Sequence, residues 1–278
     1  RTARRSARFG GEGVTTMSEA TLPEPGTPPD ALPFVAPCRR LAVDAPLRWL
    51  ALGWQDLRRA PRQSLTYGGY VFALSLLVSA IAWRWGSGWM LLVMLSAFVF
   101  VGPVVAIGVY AVSAQLARGE QPSLRRCLIY ERAALGDALV YSLILLVICL
   151  VWVRAGSAVQ IFYPEDAEPT RTQLAQFFAI GSAIGSVFAL IAFAASAFSL
   201  PMLVDRKADG VTAVVTSINA VLRNKRAMLV WIAIIVAAVA IGFATLLVGL
   251  AVTMPLIGHA TYHAYRETID ASAWPARE

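Results

Sequence analysis

Leu200 to Arg226 read LPMLVDRKADGVTAVVTSINAVLRNKR, a stretch that separates two long apolar runs. Its apolar side chains recur at helical spacing, and its polar side chains fall largely on the opposite side: Val211, Val214, Val215, Ile218, Val221 and Leu222 against Thr212, Thr216, Asn219 and Arg223. This pattern, bounded by charges, is typical of an amphipathic helix that lies on a membrane surface. The flanking apolar runs are therefore predicted to be transmembrane helices.

The composition supports a membrane protein. Of the 278 residues, 58% are hydrophobic and only 15% are charged, whereas a soluble domain is about half apolar and about a quarter charged. The excess lies in runs that are too long for buried core helices. We therefore expect a polytopic membrane domain, in contact with the lipid bilayer and with no nucleic-acid partner.

The apolar runs divide the chain into helices. We predict a short interfacial helix, four well-separated spans and a surface helix from Ser123 that precedes the third span: 45–60 for the first helix, then 67–83, 89–116, 137–154 and 174–200 for the spans. The run from Ala227 to Gly258 would be about 48 Å long as one helix, against roughly 30 Å of hydrocarbon. Either one tilted helix crosses, which makes five spans, or a hairpin turns near 242–249, which makes six and is favoured.

The predicted fold class is thus all-α, a polytopic bundle of about six transmembrane helices in three hairpins with short cytoplasmic amphipathic helices. Residues 1–43 are rich in proline and are expected to form a flexible arm. Its first 16 residues precede Met17 and lie either upstream of the true start or in a basic tail that touches anionic lipid. Residues 44–268 form the membrane domain, and residues 269–278 form a short cytoplasmic tail.

Lysine and arginine are distributed unequally between the two sides of these spans. One side has Arg39, Arg40, Arg48, Arg58, Arg59, Arg62, Arg118, Arg125, Arg126, Arg132, Arg206, Lys207, Arg223, Lys225 and Arg226, and the other has Arg84, Arg154 and Arg171. The positive-inside rule places the N-terminus in the cytoplasm, and six spans place the C-terminus there as well. The expected location is a bacterial inner membrane.

The span interiors contain no Asp, Glu, Lys, Arg or His. Transporters coupled to ions usually place ionisable groups at that depth, so this class is disfavoured. Three cysteines without a paired pattern indicate neither a disulfide framework nor a metal site. No nucleophile elbow, phosphate-binding loop or HExxH motif occurs, so neither an enzyme nor a cofactor is expected.

A few residues are candidates for a specific site. His259 and His263 share one helix face and are weak metal-ligand candidates, although an interfacial polar face explains them as well. Asp205 follows a span directly, either as a charged stop or as a polar latch to a neighbouring helix end at Arg59, Arg118 or Arg266. We predict a structural or partner rim from five residues: Asp56, Arg59, Asp205, Arg206 and Arg266. Gly181 and Gly185 permit close helix packing, either inside the chain or in self-association.

The chain resembles a family of bacterial integral membrane proteins of unknown function, some of which are labelled cytochrome c oxidase subunit I-like. The resemblance covers about 45–268 and rests on four groups of residues: Trp54, Asp56, Arg59, Pro61, Ser64, Tyr67 and Gly68; Gly102, Pro103, Tyr110, Arg118 and Gly119; Leu200, Pro201, Asp205, Arg206, Ser217 and Asn224; Pro255, Gly258, His259, Ala260, His263, Tyr265 and Arg266. It implies six inner-membrane helices and no established activity. The oxidase label does not fit, because a haem-copper subunit needs histidine ligands on several helices.

Two functions follow from these observations. The first is a non-catalytic accessory, scaffold or lipid-interacting subunit that associates with other membrane-protein subunits, because the spans are free of charge and surface helices precede them. The alternative is a small permease for an uncharged or lipidic molecule, because proline and glycine interrupt the spans.

Overall fold

The chain is helical almost throughout the part that the structure describes. The computed structural model describes residues 33–85, 88–159, 161 and 170–277, so most of the predicted arm (1–32) lies outside it. Within these ranges there are isolated bridges but no strands, and the helices are α1 (Ala45–Arg59), α2 (Pro61–Trp85), α3 (Gly88–Ala117), α4 (Leu124–Val159), α5 (Arg171–Ser196), α6 (Ser199–Asp205), α7 (Gly210–Arg223), α8 (Lys225–Ala244) and α9 (Leu250–Thr268). The predicted all-α fold class is confirmed.

Several described stretches are long and apolar enough to cross a membrane: Pro61–Arg84, Arg132–Val159, Arg171–Asp205 and Lys225–Ala244. Shorter apolar helical stretches at Gly102–Ala117 and Gly210–Arg223 accompany them. The long helices pair in sequence order, α2 with α3, α4 with α5 and α8 with α9. The prediction of an all-α membrane bundle built from hairpins is therefore confirmed.

The ambiguous apolar run forms the hairpin that the sequence favours. Helix α8 ends at Ala244 and α9 begins at Leu250. The turn between them places Leu246 and Leu247 at positive φ values of 52° and 71°, a region that side chains other than glycine rarely adopt. The Thr245 hydroxyl donates to the Ile241 carbonyl at 2.9 Å and accepts from the Gly249 amide at 2.8 Å, so one side chain closes the turn.

Helix α4 differs from its prediction. The expected surface helix from Ser123 and the expected span at 137–154 form one continuous helix of 36 residues, which is about 54 Å long. The sequence predicted two helices because charged residues in the first turns of α4 precede the apolar run. These residues belong to the part of the same helix that extends beyond the apolar span. The helix continues there because neither proline nor glycine breaks it before Gly136.

Buried side chains are concentrated at one end of the long helices. They cluster in 64–67, 107–115, 127–142, 195–205, 227–231 and 255–268. Because consecutive helices alternate in direction, these ends meet on one side of the bundle. This side, completed by α1, α6 and α7, is called the base. Beyond the base the apolar side chains are largely exposed, for example Leu76, Val147, Leu190 and Val236.

Helix α7 packs into the base through its small and polar side chains. Thr212, Ala213, Thr216, Ser217 and Ala220 are buried, whereas Val211 and Leu222 are exposed. The Asp209 side chain begins the helix and accepts from the backbone amides of Val211 and Thr212. The predicted apolar stripe is therefore divided: Val211 and Leu222 at its ends are exposed, whereas Val214 between them is buried in the core of the base.

Ser217 joins α7 to the break between α5 and α6. The helix breaks at Ala197 and Phe198, shortly before Pro201, which has no amide hydrogen to donate. The buried Ser217 hydroxyl accepts from the Phe198 amide at 3.1 Å and donates to the Ala194 carbonyl at 2.7 Å. One hydroxyl therefore satisfies a donor and an acceptor of the break.

We expect Ser217→Ala to lower the free energy of unfolding by about 1–3 kcal/mol, because it leaves the buried Phe198 amide without this partner. The measurement is the midpoint of unfolding in a fixed detergent. Ser186→Ala is the matched control, because that exposed hydroxyl donates only within its own helix, to the Ser182 carbonyl. Equal midpoints for the two variants would contradict the assigned role of Ser217.

Residues 33–43 and 269–277, which belong to the predicted arm and tail, contact each other in the structure. Cys38 and Ile269 form an antiparallel bridge, in which the Arg39 amide donates to the Thr268 carbonyl at 2.8 Å. Trp274 and Arg277 are buried. Neither segment has a helical or alternating pattern, so its docking depends on single side chains rather than on a stripe of residues.

Asn224 holds the first of these segments. Its side-chain oxygen accepts from the Leu41 amide at 2.8 Å, and its side-chain nitrogen donates to the Arg39 and Ala220 carbonyls at 3.0 Å each. Because Asn224 lies between α7 and α8, it attaches the chain before α1 to a corner of the base.

We expect Asn224→Ala to increase the rate of tryptic cleavage after Arg39 and Arg40 by about thirtyfold, because the two hydrogen bonds lost to this segment contribute about 1 kcal/mol each against local opening. Cleavage is followed by mass spectrometry of the folded protein. Asn219→Ala serves as the control, since that side chain contacts this segment only through the Cys38 sulfur at 3.6 Å. Unchanged cleavage in the Asn224 variant would show that other contacts hold the segment.

The small-residue face of α5 lies beside α4. A Cβ added at Gly181 would be 3.8 Å from Val159 Cγ1, and one at Gly185 would be 3.9 Å from Trp152 Nε1. This face is therefore occupied at least in part by the same chain, and self-association through it stays a prediction.

Candidate functional site

A chain of hydrogen-bonded side chains lies inside the base and is called the histidine cluster: Asp56, Ser64, Ser113, His259 and His263. Asp56 Oδ2 is 2.9 Å from Ser113 Oγ and 2.8 Å from His263 Nε2. His259 lies between two serines, with Nδ1 2.7 Å from Ser113 Oγ and Nε2 2.8 Å from Ser64 Oγ. The cluster therefore connects α1, α2, α3 and α9.

The serine partners decide where the proton of a neutral His259 lies. Ser113 has one hydroxyl proton, and the Asp56 carboxylate is its strongest acceptor, so His259 Nδ1 donates to Ser113. Nε2 then accepts from Ser64. Ser64 Oγ is also 2.8 Å from the Ala60 carbonyl oxygen. When the Ser64 hydroxyl donates to His259 instead, this carbonyl still accepts from the Ser64 backbone amide at 3.0 Å. In this tautomer both ring nitrogens of His259 and both serine hydroxyls have a partner.

Close helix packing brings the cluster together. Gly53 lies against α9, where an added Cβ would be 2.7 Å from the Ala260 amide nitrogen. This contact lets α1 approach α9 closely and places Asp56, one turn further, against His263. Glu267 fixes the same pair of helices, because it accepts from Trp49 Nε1 and from an Arg48 guanidinium nitrogen at 2.7 Å each.

A second group surrounds Asp205 and is called the tyrosine cluster: Asp205, Arg206, Tyr262, Tyr265 and Arg266. Tyr262 and Tyr265 donate to the Asp205 carboxylate at 3.2 and 3.0 Å, and Arg206 Nε donates at 3.1 Å. Arg266 reaches the hydroxyl of Tyr262 at 3.5 Å. Asp205 is thus a latch between α6 and α9, but its partners on α9 are tyrosines rather than an arginine.

The structure divides four of the five predicted rim residues between two separate polar clusters. Asp56 enters the histidine cluster, and Asp205, Arg206 and Arg266 enter the tyrosine cluster. Arg59 is exposed and makes no hydrogen bond or ion pair with a described residue, and Arg118 instead donates to the hydroxyl of Tyr130. The predicted latch partners Arg59 and Arg118 of Asp205 are therefore wrong, since both side chains lie elsewhere on the base.

The two histidines do not form a shared metal site in this geometry. Both ring nitrogens of His259 are within hydrogen-bond distance of serine hydroxyls, while His263 faces a carboxylate oxygen. Across the described ranges there is no group of three or more His, Cys, Asp or Glu side chains that could hold a metal ion. A metal at His259 would have to displace Ser64 or Ser113.

The sequence alone assigned no role to the residues that connect these groups. Ser64 entered only as part of the family resemblance, and Ser113 lies in an apolar stretch where serine is common. Tyr265 also entered only with the resemblance and Tyr262 was given no role of its own, yet both are buried. A usable signal is that His259, Tyr262 and Arg266 recur at helical spacing, which predicts a polar stripe along α9 that needs buried partners.

The chain matches a protein-family model over part of its length. No curated protein and no solved structure matches it. Residues 89–205 match the model of a family described as "Predicted integral membrane protein (DUF2189)". That description contains no oxidase label, and the matched stretch includes Gly102, Pro103 and Asp205 from the resemblance. The match confirms the expected similarity to a family of integral membrane proteins of unknown function.

Proposed function

We propose that this chain is a non-catalytic accessory, scaffold or lipid-interacting subunit of a bacterial inner membrane. The observation that carries the proposal is the unequal burial along the long helices. Side chains at the base are buried, whereas apolar side chains beyond it face away from the chain, among them Leu143, Val147, Val236 and Phe243. Such exposed helix surfaces are suited to lipid or to the helices of other membrane proteins.

The polar clusters support a structural role. Ser64, Ser113 and His259 have a relative exposure of 0%, so no substrate reaches a hydroxyl or an imidazole nitrogen without opening the base. Two apolar cavities in the described part of the bundle are lined by other residues. A serine beside a histidine could act as a nucleophile only where a substrate has access to it.

Photo-crosslinking in native membranes tests the proposal. A photoreactive amino acid at Leu143, Val147 or Val236 should capture a defined membrane protein or lipid, because these side chains face outward. The same group at the buried Ala134 or Met228 is the matched control and should give only internal products. Substrate turnover by the purified protein, or equal capture at exposed and buried positions, would contradict the proposal.

The orientation belongs to the same proposal. The base contains most of the exposed arginine and lysine side chains, so we place it in the cytoplasm. Trypsin added to inverted membrane vesicles should cleave after Arg39 and Arg40, and trypsin added to intact spheroplasts should not. The opposite result would reverse the orientation.

A specific observation favours the permease as the second candidate. A cavity of about 170 Å³ lies between α2, α3 and α9 beside Gly102, Pro255 and Gly258, and apolar atoms line most of it. Proline and glycine at such positions are typical of interrupted helices that line a path. Under this function, liposomes with the pure protein conduct an uncharged solute and Val105→Phe, which fills the cavity, stops the flux. Absence of flux across a broad solute panel would reject the permease.

A further inference from the structure

Two basic segments that are distant in sequence meet at one corner of the base. Asn224 binds the backbone on both sides of Arg40, through the Leu41 amide at 2.8 Å and the Arg39 carbonyl at 3.0 Å. Its own chain neighbours are Arg223 and Lys225. The five cations gathered here are called the basic patch: Arg39, Arg40, Arg223, Lys225 and Arg226.

The pKa of Cys38, the residue before Arg39, also indicates that the two basic segments lie close together. Burial raises the pKa of the Cys38 thiol, and the positive charge of Arg223 and the hydrogen bond from Asn219 partly oppose that rise. Arg223 is thus close enough to act electrostatically on the segment that contains Arg39 and Arg40.

The positive charge of the basic patch is hardly compensated. All five side chains are exposed. Arg39 is 4.0 Å from the Asp270 carboxylate, and both side chains of this pair are well exposed, so the ion pair is weak. The other four make no ion pair with an acidic residue in the part of the chain that the structure describes.

The basic patch lies where an apolar span begins. Lys225 is the first residue of α8, a stretch that is long and apolar enough to cross a membrane. Leu222 and Leu229, which flank Lys225 and Arg226 along the chain, are 57% and 62% exposed. Cations beside exposed leucines match a ligand that has a phosphate next to acyl chains.

We propose that the basic patch binds the headgroup of an anionic phospholipid, with the phosphodiester between the cations and an acyl chain along the exposed Leu222 of α7 and Leu229 of α8. Arginine suits this role because its guanidinium forms two parallel hydrogen bonds with phosphate oxygens, and lysine adds a point charge. The inference deepens the lipid-interacting part of the proposed function. Its test does not depend on the identification of a partner protein.

Lipid binding to the full chain in a neutral detergent tests the proposal. Native mass spectrometry counts retained phosphatidylglycerol and phosphatidylcholine, added at equal concentrations and low ionic strength. The wild type is expected to prefer phosphatidylglycerol. The triple variant Arg40→Gln, Lys225→Gln, Arg226→Gln is expected to lose affinity for it by on the order of 100-fold, at about fivefold per charge.

The control removes the same charge from another corner of the base. Arg58→Gln, Arg59→Gln, Arg62→Gln replaces three exposed arginines at the junction of α1 and α2 and should keep the preference. Equal losses in both triple variants, or no preference in the wild type, would overturn the proposal. If the patch variant does not fold, single Arg40→Gln and Lys225→Gln variants should each lose about fivefold, and unchanged affinity in both would overturn it.

A competition measurement distinguishes a lipid from a free phosphate ester as the ligand of the basic patch. Glycerol 3-phosphate at the same concentration should not displace phosphatidylglycerol, because it lacks the acyl chains that contact Leu222 and Leu229. Displacement by glycerol 3-phosphate would overturn the lipid as the ligand. If photo-crosslinking finds no partner while the headgroup preference is lost only in the patch variant, the scaffold role fails and the lipid site stands.

Discussion

Asp56→Ala is expected to lower the free energy of unfolding by about 3–5 kcal/mol, the largest effect of a single side chain in this protein. The carboxylate has a relative exposure of 4% and accepts from both Ser113 and His263. Its removal leaves a buried hydroxyl and an imidazole without their acceptor. It also releases His259 from the tautomer that Ser113 imposes, so α1, α3 and α9 lose their common connection.

The measurement is the unfolding midpoint in a fixed detergent, followed by intrinsic tryptophan fluorescence, because Trp49 and Trp231 pack edge to face at 5.6 Å between α1 and α8. Asp44→Ala is the matched control on the same helix. Its carboxylate pairs with Arg48 in an exposed ion pair and should change the midpoint little. If Asp56→Ala and Asp44→Ala unfold at the same midpoint, the histidine cluster does not stabilise the base.

Asp56→Asn separates the charge from the shape of this side chain. The amide oxygen can take the place of Oδ2 and accept from both Ser113 and His263, but the side chain loses its negative charge. We expect a midpoint between those of the wild type and Asp56→Ala. A midpoint equal to that of the wild type would mean that the negative charge contributes nothing to the cluster.

The membrane architecture could be predicted because it depends on long patterns. Apolar runs without charge indicate the positions of the spans. A single helix over 227–258 would be about 48 Å long against roughly 30 Å of hydrocarbon, so the hairpin was favoured. The turn itself has leucines at positive φ rather than the glycines at 242 and 249. Its backbone is held by Thr245, a single side chain that no pattern distinguishes.

The polar interior of the base could be predicted only in part. Asp56, Asp205 and the two histidines stand out because ionisable side chains are rare beside apolar spans. Their partners Ser64, Ser113 and the tyrosines are compatible with any membrane helix, so only the fold assigns them a role. The same holds for Asn224, whose partners Arg39 and Leu41 are more than 180 positions away.

The two amphipathic helices show a general limit of pattern analysis in a membrane protein. In α1, Leu47 and Trp54 are 59% and 40% exposed, while Gly53 and Asp56 are buried against α9. In a soluble protein the apolar stripe would face the core. Here lipid is a second apolar phase, so the apolar side chains of each helix are divided: Leu57 and Val214 are buried in the protein, while others face outward, and small and polar side chains also pack inward as contacts of the base.

Gly68→Ala is the second large effect that we expect. Helix α2 crosses α9 at this residue, where a Cβ would overlap the backbone carbonyl of Ala251 and lie 2.9 Å from Pro255 Cγ. A backbone carbonyl cannot rotate away as a flexible side chain can, so the two helices must separate. We expect a loss of about 3 kcal/mol in the free energy of unfolding, the upper part of the range for overpacked sites.

The adjacent residue provides the control for this prediction. A Cβ at Gly69 would have no atom within 4 Å, so Gly69→Ala adds the same methyl group to the same helix and should leave the unfolding midpoint unchanged or slightly raised. The comparison isolates the crossing of α2 and α9 from helix propensity and from detergent effects, which the two variants share. A Gly68→Ala midpoint equal to that of Gly69→Ala would mean that α2 does not cross α9 at this glycine. The serine that α2 contributes to His259 would then need another placement, because Ser64 lies one helical turn from the crossing.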